Sequence, residues 1–235
     1  MCISLVIPAY NEGKYIGDML ARIEPVHRDF FEVIVVDNAS TDDTAAVAAR
    51  YPWVRVVRED VRGTSPARQR GYLEARGDLV AFVDADNRLP TGWAAFATKQ
   101  FVQNSNLVGL SGPQFYYDVS RFFRALIYTY WLLAVPAYWA TGHVAMAGNF
   151  VARRTALQKI GGLDTRFTFY GDDTNLARRL SKVGKMAFIW NFKIYSSPRR
   201  FIKEGLVYTA WTYVTAFFTE VFFNRPPTRP YTEVR

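Results

Sequence analysis

The sequence predicts an α/β fold: a mostly parallel sheet flanked by helices, followed by an apolar amphipathic helix near the C-terminal end. Three observations carry that prediction. Short apolar runs alternate with helix-length stretches through the first part of the chain. The runs are continuous, as in strands covered on both faces. Two of them, Glu32–Asp37 and Leu79–Asp84, end in a carboxylate, and open parallel sheets bind ligands at the carboxyl ends of their strands. With 235 residues, 50% of them hydrophobic, the chain can form one large domain, or one domain plus an appendage.

Cys2–Ile7 is the first predicted strand. Pro8-Ala9-Tyr10-Asn11-Glu12-Gly13 breaks it, and a helix follows from about Ile16 to Ile23, ended by Pro25. Glu32–Asp37 is the second strand, with a turn at Asn38-Ala39-Ser40. Ser40-Thr41-Asp42-Asp43 has the capping-box form, Asp standing for Glu, and predicts a helix to about Arg50. Val54–Val57 is a third strand, and a helix from Pro66 to Ala75 follows, Pro66 suiting its first turn. Leu79–Asp84 is the fourth strand. Pro90 and Gly92 punctuate before a helix to about Asn104, and Leu107–Leu110 is another strand. The first four strands form one nucleotide-binding-sized unit of about ninety residues.

The second half differs. Ala125–Thr141 has no charge and is dense in aromatics: Tyr128, Tyr130, Trp131, Tyr138 and Trp139. Pro136 interrupts it, which argues against one straight transmembrane helix. Core packing, an acceptor-site wall and a membrane-facing hairpin all fit. Thr155–Ile160 reads as a short helix closed by Gly161-Gly162, and Asp172–Val183 as a helix stopped at Gly184. Lys185–Trp190 and Ile194-Tyr195 read as short strands.

The last predicted helix is Glu204–Phe223. Thr209, Thr212, Thr215 and Thr219 make one mildly polar stripe, and most of the remaining circumference is apolar: Leu206, Val207, Trp211, Val214, Phe217, Phe218, Val221 and Phe222. At about 27 Å, Leu206–Phe223 falls just short of a ~30 Å hydrocarbon core. Arg199, Arg200 and Lys203 precede it, and Arg225, Arg229 and Arg235 follow among prolines. Membrane contact at anionic headgroups suits this pattern, with a core or dimer helix as the competing reading.

The formal charge is +8 and the pI about 9.6. That balance admits nucleic acid, an anionic membrane or phosphorylated substrates as partners. No nucleic-acid recognition motif accompanies it, so nucleic acid is set aside. A single cysteine, Cys2, excludes an internal disulfide framework and fits a reducing compartment. Ile3–Ile7 is too short for a secretory leader and reads as a strand. Glycine-rich phosphate loops of the dinucleotide or Walker type are absent.

Asp84 and Asp86 fall on one side of an extended chain, with Ala85 pointing away. Two hard oxygen ligands at a strand end suit Mg2+ or Mn2+ already holding substrate phosphates, although Asp-Ala-Asp-Asn is also ordinary turn chemistry. Asp172-Asp173 opens a helix, where the dipole favours acidic residues for structural reasons alone. Two adjacent acids also raise one another's proton affinity, which suits a general base. Asp37 could simply end a strand, and Arg70 reads as part of a solvated helix face. His27 and His143 lack metal-ligand spacing and read as structural.

Taken together, Pro8-Ala9-Tyr10-Asn11-Glu12, Val36-Asp37-Asn38-Ala39-Ser40-Thr41-Asp42, Arg68-Gln69-Arg70-Gly71, Asp84-Ala85-Asp86, Gly161-Gly162-Leu163-Asp164 and Tyr170-Gly171-Asp172-Asp173-Thr174-Asn175-Leu176 appear in one order. In type and order they resemble the family 2 glycosyltransferases with a GT-A fold, over roughly residues 3–200. The resemblance implies a glycosyltransferase domain at 1–200, with a nucleotide-sugar-binding half at 1–112 and an acceptor-binding half at 113–200. Residues 201–235 are then a membrane-associating helix and a basic, Pro-rich tail.

The resemblance also implies roles. Pro8, Ala9, Tyr10 and Glu12 line the nucleotide pocket. Asp37 accepts a hydrogen bond from the base, and Arg68 lies near the nucleotide or its diphosphate. Asp84, Ala85 and Asp86 belong to the nucleotide-sugar site: Asp84 approaches the ribose or sugar, and Asp86, together with Asp84, ligates the metal. Asp173 is the general base. Asp172 stands where the family usually has Glu, one methylene shorter, so either acid of the pair could take the proton. Asn149, in Ala147-Gly148-Asn149-Phe150, falls where family members contact the donor sugar or acceptor. Ser196-Ser197-Pro198-Arg199-Arg200 resembles a segment that closes over the diphosphate, so Arg199 and Arg200 bind phosphate there or at a membrane.

The implied activity is inverting, metal-dependent transfer from a nucleoside-diphosphate sugar to an acceptor hydroxyl. The acceptor is a lipid-linked or cell-envelope glycan precursor at the cytoplasmic face of a membrane. A polyprenyl phosphate acceptor, as in synthases resembling dolichol-phosphate mannose synthase, is the alternative. A phosphate is already ionised and needs little help from a base, so the acidic pair argues for a hydroxyl. A non-catalytic nucleotide-sugar-binding or membrane-docking module is the reading from another class.

Overall fold

The computed structural model describes residues 1–141, 148–169 and 171–205, and then 208, 209, 211, 212, 215, 216 and 219. Its frame is a seven-stranded sheet. β1 (Ile3–Ala9) has β2 (Glu32–Asp37) and β3 (Val54–Arg58) on one side and β4 (Leu79–Val83) on the other, all parallel. Beyond β4 come β7 (Asn149–Arg153), β5 (Leu107–Ser111) and β8 (Lys185–Phe188). β7 runs antiparallel to both its neighbours, and β8 is parallel to β5. This is the mostly parallel α/β architecture that the sequence predicts. β7 is an addition, because its apolar run Phe150-Val151-Ala152 is too short to reveal a strand by periodicity.

The strands read as unbroken apolar runs because both faces are covered. Leu5, Ile7, Val35, Ala81 and Val83 pack with α1 (Gly13–Ile23) and α4 (Trp93–Gln103). Val6, Ile34, Val36 and Phe82 pack on the opposite side with α3 (Thr64–Glu74), α6 (Arg154–Lys159) and α7 (Asp172–Ser181). In α1 the buried residues are Ile16, Met19, Leu20 and Ile23, the spacing of one helix face. Burial of each stabilises the fold by about 1.5–3 kcal/mol. α3 comes close to the sheet at Gly71, where a Cβ would lie 2.2 Å from Val6 Cγ1.

The capping box expected at Ser40–Asp43 does not form. α2 is only Thr44–Ala48, with no side chain capping it. The polar side chains instead tie the first two strand-to-helix loops together. Asp42 accepts from Gly13 N and Thr44 N, both at 3.0 Å, and Ser40 Oγ accepts from Asn11 N at 3.0 Å.

A two-stranded parallel pair, β6 (Gln114–Tyr116) and β9 (Ile194–Ser196), stands apart from the main sheet. α5 (Arg121–Thr141) follows β6. It continues through Pro136, where the sequence suggested an interruption. Ile127 and Trp131 are its buried anchors, and Trp131 Nε1 donates to Gln114 O at 2.7 Å. Among the described residues no helix is long and apolar enough to cross a membrane.

α6 ends at Gly161 and Gly162, both with positive φ, as expected. α8 (Arg199–Glu204) ends at Gly205, φ 83°. Glu204, expected to open the last helix, belongs to α8, and the described residues from 208 to 219 are helical. His27 stacks on Trp53 at 5.1 Å between ring centroids, in keeping with a structural role. His143, Tyr170, Leu206, Val207, Val214, Phe217, Phe218, Val221, Phe222, Arg225, Arg229 and Arg235 lie outside the described residues.

Candidate active site

From β1 the chain winds outward through β2 and β3, then returns to lay β4 on the other edge of β1. At such a switch point the loops after adjacent strands diverge and leave a crevice at the carboxyl ends. The loop after β1 carries Tyr10, Asn11 and Glu12, and the loop after β4 carries Asp84, Ala85 and Asp86. Pro8 and Ala9 are the last residues of β1, and Ala9 and Ala85 are buried.

Two non-glycine residues in the loops after β1 and β2 adopt positive φ, Asn11 at 51° and Ala39 at 56°. Such backbone persists only where the surroundings hold it. Thr41 N donates to Asn11 Oδ1 at 2.8 Å, and Glu12 N to Thr44 Oγ1 at 2.8 Å. Asn38 donates to the carbonyls of Glu59 and Val61 and accepts from Gly63 N. Asp37 is buried between these ties, accepting from Ser40 N at 3.3 Å and lying 3.6 Å from Arg58 Nη1. The Arg62 guanidinium sits 4.2 Å from the centroid of the Tyr10 ring.

Two ion clusters occupy the crevice. In the first, Arg199 is bidentate to Glu12, at 2.6 and 2.7 Å, and its Nε lies 3.1 Å from Asp86 Oδ2. The guanidinium also covers the Tyr15 ring, 4.5 Å from its centroid. Ser196 Oγ donates to Asp86 Oδ1 at 3.4 Å, and Tyr117 OH to Asp86 O at 3.2 Å. Burial pushes the Asp86 carboxyl up to about 6; Arg199 opposes the shift, while Glu12 and Asp84 add to it. Burial would pull the Arg199 guanidinium down, but Asp86 and Glu12 hold it above its ordinary value.

In the second cluster, buried Arg68 bridges Asp84, at 2.7 Å, and Asp172, by a short contact. Burial alone would lower its pKa, and the two carboxylates raise it. Arg68 Nε is buried without a partner. Thr64 Oγ1 donates to Asp172 Oδ2 at 3.3 Å. Gly148 backs this cluster: a Cβ there would lie 2.5 Å from Asp84 Oδ2. Asn87 Nδ2 donates to Gly148 O at 2.8 Å. Asp172 is therefore turned inward and ion-paired. Asp173, less buried, accepts from Thr174 N at 2.8 Å. Arg68, Asp172 and Asp173 also line a small cavity with Phe82, Phe150, Leu163 and Leu176.

The crevice thus gathers Glu12, Asp84, Asp86, Arg68, Asp172 and Arg199, while Tyr10 lies in the loop after β1 and Asp37 ends β2. Asn149, expected at the donor sugar, is fully buried within the fold. It accepts from Trp93 Nε1 at 3.1 Å and donates to the carbonyls of Gly112 and Phe192, so its amide is a strut. Arg200 pairs with Glu204 inside α8 at 3.4 Å, one turn away. Arg70 pairs with Glu74 on the surface of α3. Sequence reasoning missed Tyr15, Thr64, Tyr117 and Gly148. Only Gly148 carried a signal, as a glycine beside a site candidate.

The donor set bears on a metal. Among the described residues no three His, Cys, Asp or Glu side chains converge as a closed metal site. Asp86 and Glu12 instead share one cation, the Arg199 guanidinium. Hard carboxylate oxygens placed around a cationic centre fit Mg2+ or Mn2+ of the kind held by one or two carboxylates plus substrate phosphates.

Residues 4–161 match the model of the family described as glycosyl transferase family 2. The probable glycosyltransferase YdaM of Bacillus subtilis is 24% identical over 245 residues, covering 92% of this chain and 58% of that protein. Dolichol-phosphate mannosyltransferase of Pyrococcus furiosus is 34% identical over 95 residues, 38% of this chain and 27% of that protein. The chain therefore spans less than two thirds of the length of these curated relatives. Among solved structures, mannosyltransferase PcManGT from Pyrobaculum calidifontis, in complex with GDP-Man and Mn2+, matches with a TM-score of 0.71 at 22% identity. The match covers 97% of this chain and 65% of that one, and the likeness is one of fold.

Proposed function

This chain belongs to glycosyl transferase family 2, and we propose that it moves a sugar, with inversion, from a nucleoside-diphosphate sugar to an acceptor hydroxyl. The acceptor is a lipid-linked or cell-envelope glycan precursor at the cytoplasmic face of a membrane. Residues 1–112 bind the donor, residues 113–200 the acceptor, and residues 201–235 associate with the membrane. The observation that carries the reading is the meeting of two ion clusters at the sheet's switch point, with Asp84 and Asp86 two residues apart.

Tyr10 and the end of β1 at Pro8 and Ala9 shape the nucleotide pocket, and Asp37 accepts from the ring N–H of the base. Asp86, with Asp84 beside it, would hold a divalent cation, which would supply neutralising charge for the departing diphosphate. Arg199 exchanges its carboxylate partners for phosphate oxygens. Arg68 fixes Asp84 and the start of α7 relative to each other. Asp173 is the general base. The acceptor oxygen forms its bond to the anomeric carbon while its proton passes to the Asp173 carboxylate. The bond from that carbon to the diphosphate oxygen breaks on the opposite face, and the nucleoside diphosphate leaves with the electron pair. Asp172, committed to Arg68, positions this helix start.

The name of the Pyrococcus relative supports a second reading, transfer to a polyprenyl phosphate. Asp173→Asn separates the two. With labelled nucleotide sugars and a membrane lipid extract, hydroxyl transfer falls about 10²–10⁴-fold in kcat with nucleotide binding retained. Unchanged turnover onto a polyprenyl phosphate supports the second reading. A chain that releases no nucleoside diphosphate from any donor is a binding module.

A further inference from the structure

Among the described residues of the last helix, Thr209 and Thr212 face inward, and Tyr208 and Trp211 face outward. Thr209 and Thr212 are 1% and 5% exposed, whereas Tyr208 and Trp211 are 47% and 58% exposed. The threonine hydroxyls donate to carbonyls one turn back: Thr209 Oγ1 to Gly205 O, Thr212 Oγ1 to Tyr208 O and Thr215 Oγ1 to Trp211 O, each at 2.9 Å. A threonine hydroxyl bonded this way to its own helix can be buried. A helix facing water carries its apolar stripe inward, whereas Tyr208 and Trp211 here point outward.

α5 repeats the pattern. Ile127 and Trp131 anchor it, while Phe122, Leu126 and Leu132 are exposed, Phe122 to 79%. Phe122 and Leu126 share a helix face with the small residues Ala125 and Thr129. The two regions meet where Phe201 of α8 packs on Phe123 and Tyr116, with ring centroids 5.6 and 5.0 Å apart. Beside that contact Ile202 is 75% exposed. An apolar surface of this kind marks an interaction site.

Charge identifies the occupant. From Val119 to Thr219 there are 14 Lys and Arg but only 4 Asp and Glu. Two of those acids, Asp172 and Glu204, are paired with Arg68 and Arg200. Arg121, Arg124 and Lys203 are exposed beside the apolar residues. A second copy would bring like charge against like charge, whereas anionic headgroups complement it. No described helix can cross a bilayer, so the contact lies in the interface plane.

We propose that the outward face of α5, together with Ile202, Tyr208 and Trp211, docks this protein on an anionic phospholipid surface. The apolar side chains enter the acyl boundary, and Arg121, Arg124 and Lys203 lie among the headgroups. This deepens the reading above, on which it rests for the acceptor's location, but its test requires no transfer.

The 235-residue chain is floated with vesicles of phosphatidylcholine alone and of phosphatidylcholine with phosphatidylglycerol in equal parts. Binding to the anionic vesicles and weak binding to the neutral ones is expected. Arg124→Gln and Lys203→Gln each weaken it about fivefold. Phe122→Ser and Trp211→Ser each weaken it about tenfold or more. All four keep the wild-type thermal midpoint and its shift on adding nucleotide sugar with Mn2+. Absent or charge-independent vesicle binding overturns the proposal, as does a dimer broken by Phe122→Ser without vesicle binding. Failed docking with an intact nucleotide shift overturns docking alone; docking without any nucleotide shift overturns the donor-site reading instead.

Discussion

The two parts of the molecule carry opposite charge. Residues 1–118 hold 15 Asp and Glu against 12 Lys and Arg, while residues 119–219 hold 4 against 14. The crevice is where they exchange counter-ions. Arg199, from the second part, neutralises Glu12 and Asp86 of the first. Arg68, from the first, neutralises Asp172 of the second. A buried carboxylate without a partner is costly, so the acidic strand ends depend on the basic part for their charge balance. Arg121, Arg124, Phe122, Ile202, Lys203 and Trp211 of the second part are exposed. In the proposed function, one part handles the leaving group and the other meets the acceptor.

The most damaging way to break this exchange is Arg68→Met. It leaves Asp84 and Asp172 without their shared cation and is expected to cost about 3–5 kcal/mol in urea unfolding. An unfolding midpoint within experimental scatter of wild type contradicts the cross-neutralised crevice. The acidic pair sharpens it: Asp172→Asn lowers both stability and turnover, whereas Asp173→Asn lowers turnover and leaves the unfolding curve in place. Equal stability losses in the two variants would erase the distinction between positioning residue and base.

Arg199→Gln probes the other exchange. With its cation removed, the Glu12–Asp86 pair is expected to take up Mn2+ alone about tenfold more tightly, roughly 1.4 kcal/mol. Titration followed by the paramagnetic resonance of free Mn2+ measures this. Unchanged affinity means that Arg199 does not occupy the cation's place.

The smallest effect lies within the first part. Burial raises the Glu32 carboxyl, but bonds from Ser4 Oγ, Arg76 N and Arg55 outweigh it and hold the group below the usual carboxylate range. A lowered folded value means that its contribution is present above the unfolded Glu value and is lost as pH falls through the folded one. Glu32→Gln should therefore cost about 1 kcal/mol or less at pH 7, discounted for partial exposure. The difference should fade in acid, as read from urea midpoints across that range.

Much of the first part was legible because its strands are buried on both faces and its acidic residues sit at strand ends. β1, β2 and β4 announce themselves as apolar runs for that reason. The Ser40–Asp43 segment misled because a capping pattern and a loop-to-loop tie use the same side chains. Asn149 misled because motif position says nothing about whether an amide faces a crevice or three interior partners. The 187-residue separation of Arg199 from Glu12 leaves no local trace of their pairing. For the last helix, periodicity identified the threonine stripe but not its direction, which depends on hydroxyls bonding within their own helix.

In the proposed function, Asp86 belongs to a nucleotide-sugar site. Its most direct test is the thermal midpoint of wild type and Asp86→Ala against a panel of nucleoside-diphosphate sugars with Mn2+. One donor at about a hundred times its Kd should stabilise wild type by about 2.7 kcal/mol, or roughly 5–10 °C. The variant should keep its fold and lose the shift. An equal shift in the variant, or none in wild type with any donor, contradicts the account.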